Sequence, residues 1–480
     1  MSRFIKTKGR GNIDVSTPSI PNSPRVREGD SYFVAYLLVF FTAGVLRALL
    51  SLENQEANDN HYAVVRLILQ GRTGLTMTDC HECFHPKLFY LVCAAWVRAL
   101  TFLGMPSQIV AGQLLNTIAG LATLFLIFLV LSGSHGRAKW KFLTFVLIAL
   151  NPRLIAINGQ LSNDSFAILF ATCAIFTSLS LLKSPSLSLA ILAQLALSCA
   201  LMTKGTTWVV AIAMFIVFFL RGQLDKSGKK RLLFVLLSVT TALNGALSIH
   251  LSGYDFERYD TYANAGRGRP LHFFEKNSVE RPGVQSVVDG YLTFRIFSLL
   301  GDPQITNGIP IMQQHRTSVW TVLYAQANFA QFEQHPRSWL TKDPSVLFVA
   351  KCSMALGLLP LAFFLIGLGG ELRRALHAWR NWGVSRSDYS AFFCLLVSFG
   401  YIAFIIKFTA DYRDFSAAKL IYILPGVLPF ALSILKGFQC VAGATSHVKM
   451  AERTIDALLG CLVILHCWGI VALVTKLANH

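Results

Sequence analysis

Residues 79–90, with the sequence DCHECFHPKLFY, bring together side chains that bind metals, carry protons or hold anions. Cys80 and Cys83, with His81 and His85 beside them, have the spacing of half a zinc site. A closed structural zinc site needs four ligands, usually from two separated pairs, and the chain has no second Cys-x-x-Cys. We therefore predict no metal here. A disulfide between the two cysteines fits a loop that faces an oxidising compartment, and two free thiols are the alternative.

The composition of the whole chain is that of a polytopic membrane protein. Of its 480 residues, 54% are apolar and only 14% are charged, and the mean hydropathy is +0.51. The formal net charge of +18 lies largely in short connections between apolar segments, so it is a topology signal rather than a sign of nucleic-acid binding. We expect membrane lipids, and no nucleic acid, as partners of the chain.

Apolar segments long enough to cross a membrane, which takes about 20 helical residues, recur along the chain. We predict eleven spans, at residues 32–50, 108–132, 142–158, 165–182, 187–202, 203–220, 232–250, 345–369, 389–407, 420–435 and 455–476. The segment 88–104 is short and carries Arg98 in its interior. Both features favour a helix that lies along the membrane surface.

Basic connections set the predicted orientation. With the N-terminus inside and residues 88–104 on the surface, the basic loops near Arg137, Arg221 and Arg373 all fall inside. If that segment spanned instead, the first two of these loops would fall outside. The tail at residues 1–30 lacks the apolar core of a signal peptide, and we expect it to be disordered and cytoplasmic.

The predicted organisation has three parts after the tail. Residues 31–250 form an N-terminal transmembrane module that would hold the catalytic site, and its first outer loop is at 51–106. A long outer loop at 251–344 is rich in aromatic residues, which argues for short helices rather than disorder. Residues 345–480 supply the C-terminal transmembrane helices.

Five short motifs follow one another on or near the predicted outer side. They are NDNHY at 58–62, HPKLFY at 85–90, GQLSND at 159–164, LMTKG at 201–205 and SAAKLIYILP at 416–425. In order and location the set resembles the C-type glycosyltransferase superfamily, and it is most similar to protein O-mannosyltransferases, the lipid A aminoarabinose transferase and family-39-like transferases. The resemblance covers roughly residues 30 to 435. Two positions depart from that pattern, because Asn60 stands where Glu is frequent and Pro86-Lys87 replaces Lys-Pro.

The resemblance implies an all-α polytopic fold of about eleven transmembrane helices with an interfacial helical first outer loop. It also implies transfer of a sugar from a polyprenyl phosphate carrier to an acceptor hydroxyl at the outer face, with inversion. Asp59 would be the base, and Asp164 would orient the acceptor or hold a cation. Both residues also fit helix N-caps. We predict no metal site because the carboxylates are scattered singly, and dependence on a divalent cation stays open.

Cations on or near the outer face are candidate phosphate ligands. They are Lys87, Lys204, Lys419 and Arg413. The alternative is that these lysines reach headgroups from the ends of spans. Further candidate substrate contacts are His61, His85 and Tyr90, and the reserve carboxylates are Asp79 and Glu82.

The predicted function is that of a hexosyl- or pentosyltransferase in a bacterial plasma membrane, with its site facing the periplasm or exterior. The endoplasmic reticulum of a eukaryote is the alternative compartment. Its partners would be a polyprenyl-phosphate-linked sugar and an acceptor protein, lipid or glycan. A multi-span transporter or lipid flippase is the main alternative, and polar residues at mid-membrane or two related halves would favour it. A membrane scaffold without activity is the third.

Overall fold

The structure, a computed structural model, describes most of the membrane-spanning part of the chain. The described residues are 30–54, 60–76, 78–225, 227–252, 287–303, 318–330, 343–380, 386–412, 419–444 and 449–479. The N-terminal tail, much of the long outer loop, Asp59 and Arg413 lie outside them. Predictions about these parts are neither supported nor contradicted.

Regular structure in the described residues is entirely helical. The helices are α1 (Asp30–Glu53), α2 (His61–Leu69), α3 (Leu88–Phe102), α4 (Gln108–Ser132), α5 (Ala138–Ala149), α6 (Pro152–Asn158), α7 (Asp164–Lys183), α8 (Leu187–Leu201), α9 (Trp208–Leu224), α10 (Gly228–Ser252), α11 (Val287–Leu292), α12 (Ile296–Gly301), α13 (Val319–Asn328), α14 (Pro344–Leu356), α15 (Leu358–Arg380), α16 (Arg386–Tyr412), α17 (Val427–Ala444) and α18 (Lys449–Ala478). Short 3₁₀ turns occur at His81–Phe84, Gly205–Thr207, Leu420–Tyr422 and Leu424–Gly426.

The predicted all-α polytopic fold is confirmed, with two changes in the spans. Nine helices in the described ranges are long and apolar enough to cross a membrane, or ten if the bent pair α5 and α6 is one span. The predicted span at 187–202 is α8, which has only 15 residues, or about 22 Å. It nevertheless crosses the bundle, because it leaves the end of α7 and its own end returns to the start of α7.

The predicted span at 142–158 is broken into two helices bent by 48°. α6 begins at Pro152, which has no N–H to continue the hydrogen bonding of α5. The side-chain oxygen of Asn151 accepts hydrogen bonds from two backbone amides in the first turn of α6, each at 3.1 Å. This N-cap starts a new helix and leaves the last carbonyls of α5 for other donors.

Helices α1 and α4 are antiparallel neighbours. Ser51 Oγ lies 2.8 Å from Thr117 Oγ1, while the rings of Tyr36 and Phe128, at the other ends of the same helices, are 5.0 Å apart. The chain therefore leaves α1 and enters α4 at the same end of the bundle. α3 lies between them in sequence and does not cross, in agreement with the predicted surface helix.

The two ends of the bundle differ in their ionic contacts. At one end, Lys139 Nζ lies 2.6 Å from a carboxylate oxygen of Asp456 and 2.9 Å from one of Glu452. These contacts join the start of α5 to the start of α18, and we name this the Lys139 end. The opposite end, where α1 ends and α7 begins, is named the Asp164 end.

Close backbone packing holds α15 against α17. Gly367 and Gly437 face the partner helix, and a β-carbon on either would collide with a backbone carbonyl, that of Ser433 or of Phe363 respectively. Small residues let membrane helices approach closely, which strengthens dispersion contacts.

Candidate functional site

The two residues predicted from separate motifs, Asp164 and Lys204, form a buried ion pair. Lys204 Nζ donates a hydrogen bond to Asp164 Oδ1 at 2.6 Å, and the two residues are only 4% and 6% exposed. Asp164 is the first residue of α7, and the N-cap position belongs to Asn163, whose side chain makes no capping bond. Asp164 is therefore not the N-cap residue of α7.

The turn that carries Asp164 is tied to its neighbours by side-chain amides. Asn116 Nδ2 on α4 donates to the carbonyls of Gln160 and Ser162, at 2.5 and 2.8 Å. Asn163 Nδ2 donates to the carbonyl of Thr203 at 3.3 Å, next to Lys204. The start of α7 and the end of α8 are thus linked by a backbone acceptor as well as by the ion pair.

The two cysteines of the stretch close a short turn. Cys80 and Cys83 are joined by a disulfide across the 3₁₀ turn, and Glu82 Oε2 lies 2.9 Å from Nε2 of His85. Both side chains of this pair are well shielded. Throughout the described ranges, no group of three or more His, Cys, Asp or Glu side chains is arranged to hold a metal ion.

His61, from the first motif, lies beside the same turn. Its Nδ1 is 2.7 Å from the hydroxyl of Tyr90, and its ring stacks on that of His85 with centroids 5.8 Å apart. The carboxylate of Asp164 is within electrostatic range of both histidines. Two motifs of the predicted first outer loop therefore converge on the Asp164–Lys204 pair, in a cluster that holds cations and carboxylates together.

Lys87 is directed to its own loop. Its Nζ donates to the carbonyls of Cys83 and His85, the second at 2.9 Å. Burial lowers the pKa of Lys87 to about 8, and the charge of Asp79 opposes that shift. The ammonium thus lies at the edge of the cluster and stabilises the turn that carries Glu82.

The C-terminal motif reaches the cluster through an aromatic ring. Lys204 Nζ is 5.7 Å from the ring centroid of Tyr422, three residues after Lys419. The backbone N–H of Leu420 donates to Oε1 of Gln326 at 2.6 Å, so α13 fixes this turn from the outer-loop side. Lys419 itself is half-buried at the start of the turn.

Asp79, a reserve carboxylate, belongs to a surface turn. It pairs with Arg72 at 2.5 Å and accepts a hydrogen bond from the Thr76 amide at 2.8 Å. That backbone bond is the main cause lowering the pKa of Asp79, and the hydroxyl of Thr76 and the Arg72 charge add to it. This carboxylate is occupied by local structure.

Asn60, next to the predicted base, has an unusual backbone conformation. Its φ is +58°, in the left-handed region that asparagine tolerates far better than most residues. It occupies the N-cap position of α2 without a side-chain capping bond. A glutamate there would be strained.

Two members of the cluster had no main role assigned from the sequence. Tyr422 appeared only within a motif, and Glu82 only as a reserve carboxylate. The signal for Glu82 was its position three residues before His85, a spacing that brings two side chains together on one helical turn. Nothing local marked Tyr422, because its contact with Lys204 joins distant parts of the chain.

No family model matches the chain, and no curated protein sequence matches it significantly. Its structure is similar to that of the Archaeoglobus fulgidus oligosaccharyltransferase tethered with an acceptor peptide, with a TM-score of 0.49 and 14% identity over 92% of this chain and 56% of that chain. The archaeal oligosaccharyltransferase AglB from Archaeoglobus fulgidus, in complex with an inhibitory peptide and a dolichol-phosphate, has a TM-score of 0.48 and 14% identity, over 94% of this chain and 56% of that chain. ArnT from Cupriavidus metallidurans bound to undecaprenyl phosphate has a TM-score of 0.45 and 13% identity, over 93% and 77%. The chain thus spans little more than half the length of the oligosaccharyltransferase structures, and its similarity in fold to these proteins extends over nearly all of its own length.

Proposed function

We propose that this chain is a membrane glycosyltransferase, which moves a sugar from a polyprenyl phosphate carrier to an acceptor hydroxyl at the Asp164 end of the bundle. The observation that carries the proposal is the buried Asp164–Lys204 ion pair with His61 and His85 beside it. These residues come from the motifs that resemble C-type glycosyltransferases.

The cations of the cluster would stabilise the leaving group. In such a transfer the bond between the sugar's anomeric carbon and the phosphate oxygen breaks, and the phosphate keeps the electron pair. Negative charge therefore grows on the phosphate, and preorganised donors in a shielded site stabilise it more than water does. Lys204 is the central donor in this proposal, since Asp164 holds its ammonium in place, and His61 and His85 flank it.

The acceptor hydroxyl needs a base as it attacks the anomeric carbon from the opposite side. Asp59 is proposed for this role, because it comes two residues before His61, which lies in the cluster. Asp164 would then orient the acceptor or the lysine. A single displacement of this kind inverts the configuration at the anomeric carbon.

The proposed orientation places the Asp164 end outside, in the periplasm or at the exterior of a bacterial plasma membrane. The disulfide between Cys80 and Cys83 at this end supports an oxidising side. The Lys139 end carries the basic loop between α4 and α5, and positive residues favour the inner side. The lipid-linked sugar donor and the acceptor, both on the outer side of the membrane, would then meet at the surface of the helix bundle.

A donor panel tests the function. Purified protein in lipid nanodiscs is mixed with polyprenyl phosphates that carry different sugars and with the bare carrier, and binding is followed by thermal shift. Release of free polyprenyl phosphate is followed by mass spectrometry. We expect one sugar lipid to raise the melting temperature and to lose its sugar when the acceptor is present.

Matched variants separate the roles. Asp59→Asn and Asp164→Asn should abolish transfer, and Lys204→Met should weaken binding of the bare carrier. Asp79→Asn, a carboxylate of the same loop that is held in a surface turn, should leave both intact. Unchanged transfer after replacement of both Asp59 and Asp164 would refute the mechanism, and the absence of any sugar-lipid binding would refute the function and favour a transporter or scaffold.

A further inference from the structure

An arginine lies fully inside the bundle, where it donates hydrogen bonds to neutral groups. Arg47, on α1, is 0% exposed. Its Nε donates to Oδ1 of Asn158 at 2.9 Å, and its Nη1 donates to the carbonyls of Ala43 and Ala149 at 2.9 and 3.0 Å. Ionisable residues within membrane spans are costly, and they usually mark function.

The break between α5 and α6 explains how this cation is accommodated. Ala149 is the last residue of α5 and Asn158 the last residue of α6, so Arg47 lies at the C-terminal ends of two helices. Carbonyl groups there lack intrahelical partners and carry partial negative charge. The break therefore frees the carbonyl of Ala149, which accepts a hydrogen bond from the guanidinium.

Asn158 connects Arg47 by hydrogen bonds to the first turn of α7, which carries the candidate site. Its Nδ2 donates to Oγ of Ser165 at 2.9 Å, and that hydroxyl lies 3.3 Å from the carbonyl of Ile157, to which it donates. Because arginine only donates hydrogen bonds, it fixes the oxygen of the Asn158 amide on its own side and the NH₂ group on the side of Ser165. Ser165 is the residue after Asp164, in the first turn of α7.

The amide of Asn158 is also confined by α4. A β-carbon on Gly120 would collide with it, so only the bare backbone of glycine leaves room for the side chain there. Thr117 Oγ1 donates to the backbone carbonyl of Asn158 at 3.3 Å. The side-chain amide of Asn158 therefore has one orientation, which Arg47 and Gly120 determine. Ser165 accepts a hydrogen bond from its NH₂ group.

We infer that Arg47 is a positioning residue, which acts through Asn158 and Ser165 to hold the first turn of α7, and with it the carboxylate of Asp164, against Lys204. The catalytic meaning of this role rests on the proposed transferase function. The positioning itself does not, because it concerns the geometry of an ion pair that can be measured in the protein without substrate.

The test measures the reactivity of the Lys204 amine. An amine that donates to a buried carboxylate is acylated slowly, and one released from that carboxylate reacts faster. The protein in nanodiscs is treated briefly with acetic anhydride, and acetylation of Lys204 is quantified by peptide mass spectrometry relative to Lys139 at the opposite end. Asp164→Asn sets the value for a fully released amine.

Three variants weaken the contacts from Arg47 through Asn158 and Ser165 to different degrees. Ser165→Ala removes one hydroxyl and should raise Lys204 labelling about fivefold, as expected for the loss of one hydrogen bond. Arg47→Gln should raise it towards the value of Asp164→Asn, while Arg47→Lys, which keeps the charge, should fall between Arg47→Gln and the wild type. Thr177→Val is the matched control, because that buried hydroxyl on α7 donates within its own helix; it should leave labelling unchanged.

Wild-type labelling of Lys204 in Ser165→Ala, with Lys139 labelling also unchanged, would overturn the inference even if Arg47→Gln does not fold. In the transfer assay, Ser165→Ala should lower kcat and leave KM for the lipid donor unchanged. Increased Lys204 labelling in the variants, together with no sugar transfer by the wild type to any acceptor, would refute the proposed function and keep the positioning role. Sugar transfer by the wild type, together with unchanged Lys204 labelling in the variants, would support the proposed function and overturn the positioning role.

Discussion

The Asp164–Lys204 pair makes a quantitative prediction about stability, because both groups are almost completely buried. Removal of one partner leaves an uncompensated buried charge, which costs about 3–5 kcal/mol, whereas replacement of both by neutral groups of similar volume is often neutral or stabilising. Lys204→Met should fall near the lower limit, because His61 and His85 are within electrostatic range of the remaining carboxylate. Asp164→Asn should fall near the upper limit, because it leaves the ammonium among those same histidines.

The double variant Asp164→Asn/Lys204→Met completes a double-mutant cycle. We expect its free energy of unfolding to lie within about 1 kcal/mol of the wild type, so that the two single effects are strongly non-additive. Equilibrium unfolding in mixed micelles, followed by tryptophan fluorescence, measures all four proteins under one condition. The double variant should be stable and yet inactive in sugar transfer, which separates folding from chemistry.

Either of two results would contradict this prediction about the ion pair. Single variants that each cost less than about 1 kcal/mol, as exposed pairs do, would mean that water reaches the pair. Additive losses in the double variant would mean that the two side chains are stabilised by other partners and that the ion pair is incidental.

Three further predictions concern other parts of the chain. Because burial lowers the pKa of Lys87 to about 8, the folded protein binds fewer protons than the unfolded chain between about pH 8 and 10, so stability should rise with pH in that window; Lys87→Gln should flatten this rise in melting curves measured across it. Replacing Cys80 and Cys83 by alanine should cost about 2 kcal/mol, as expected for a closed loop of about four residues, and should lower transfer, because the turn presents Glu82; an unchanged melting temperature would contradict this. Gly437→Ala should destabilise the protein by about 1–3 kcal/mol by overpacking α15 against α17, whereas Gly460→Ala, whose β-carbon meets open space, should be nearly neutral; equal melting temperatures of the two variants would contradict the close packing.

The fold was largely predictable because apolar length is a local property of the chain. Each predicted span corresponds to helical structure, and the short α3 was assigned to the surface from its length, Arg98 and the charge bias. The break at Pro152 was missed although Asn151-Pro152 is a recognisable helix start, because apolar residues flank it on both sides. Hydropathy averages over such a break, while hydrogen bonding does not.

The candidate site was predictable only where short motifs marked it. Asp164, Lys204, His61 and His85 came from separate stretches, and the structure brings them together. Arg47 could not be found in this way, since its partners Asn158 and Ala149 are 111 and 102 residues away. In the sequence it is one charge within an otherwise apolar span, and only the three-dimensional break in another helix explains its position.

The distribution of buried charge also bears on the transporter alternative. A transport path needs polar groups that line a route across the membrane, open in turn to each side. Arg47 is buried within α1. It is fixed in place by hydrogen bonds to the side-chain oxygen of Asn158 and to the carbonyls of Ala43 and Ala149. The paired charges of Asp164 and Lys204 gather instead with two histidines at one end, while the Lys139 end is joined by separate ion pairs between α5 and α18. A one-sided cluster anchored from within the bundle suits chemistry on a lipid-borne substrate at a membrane surface better than passage through the protein.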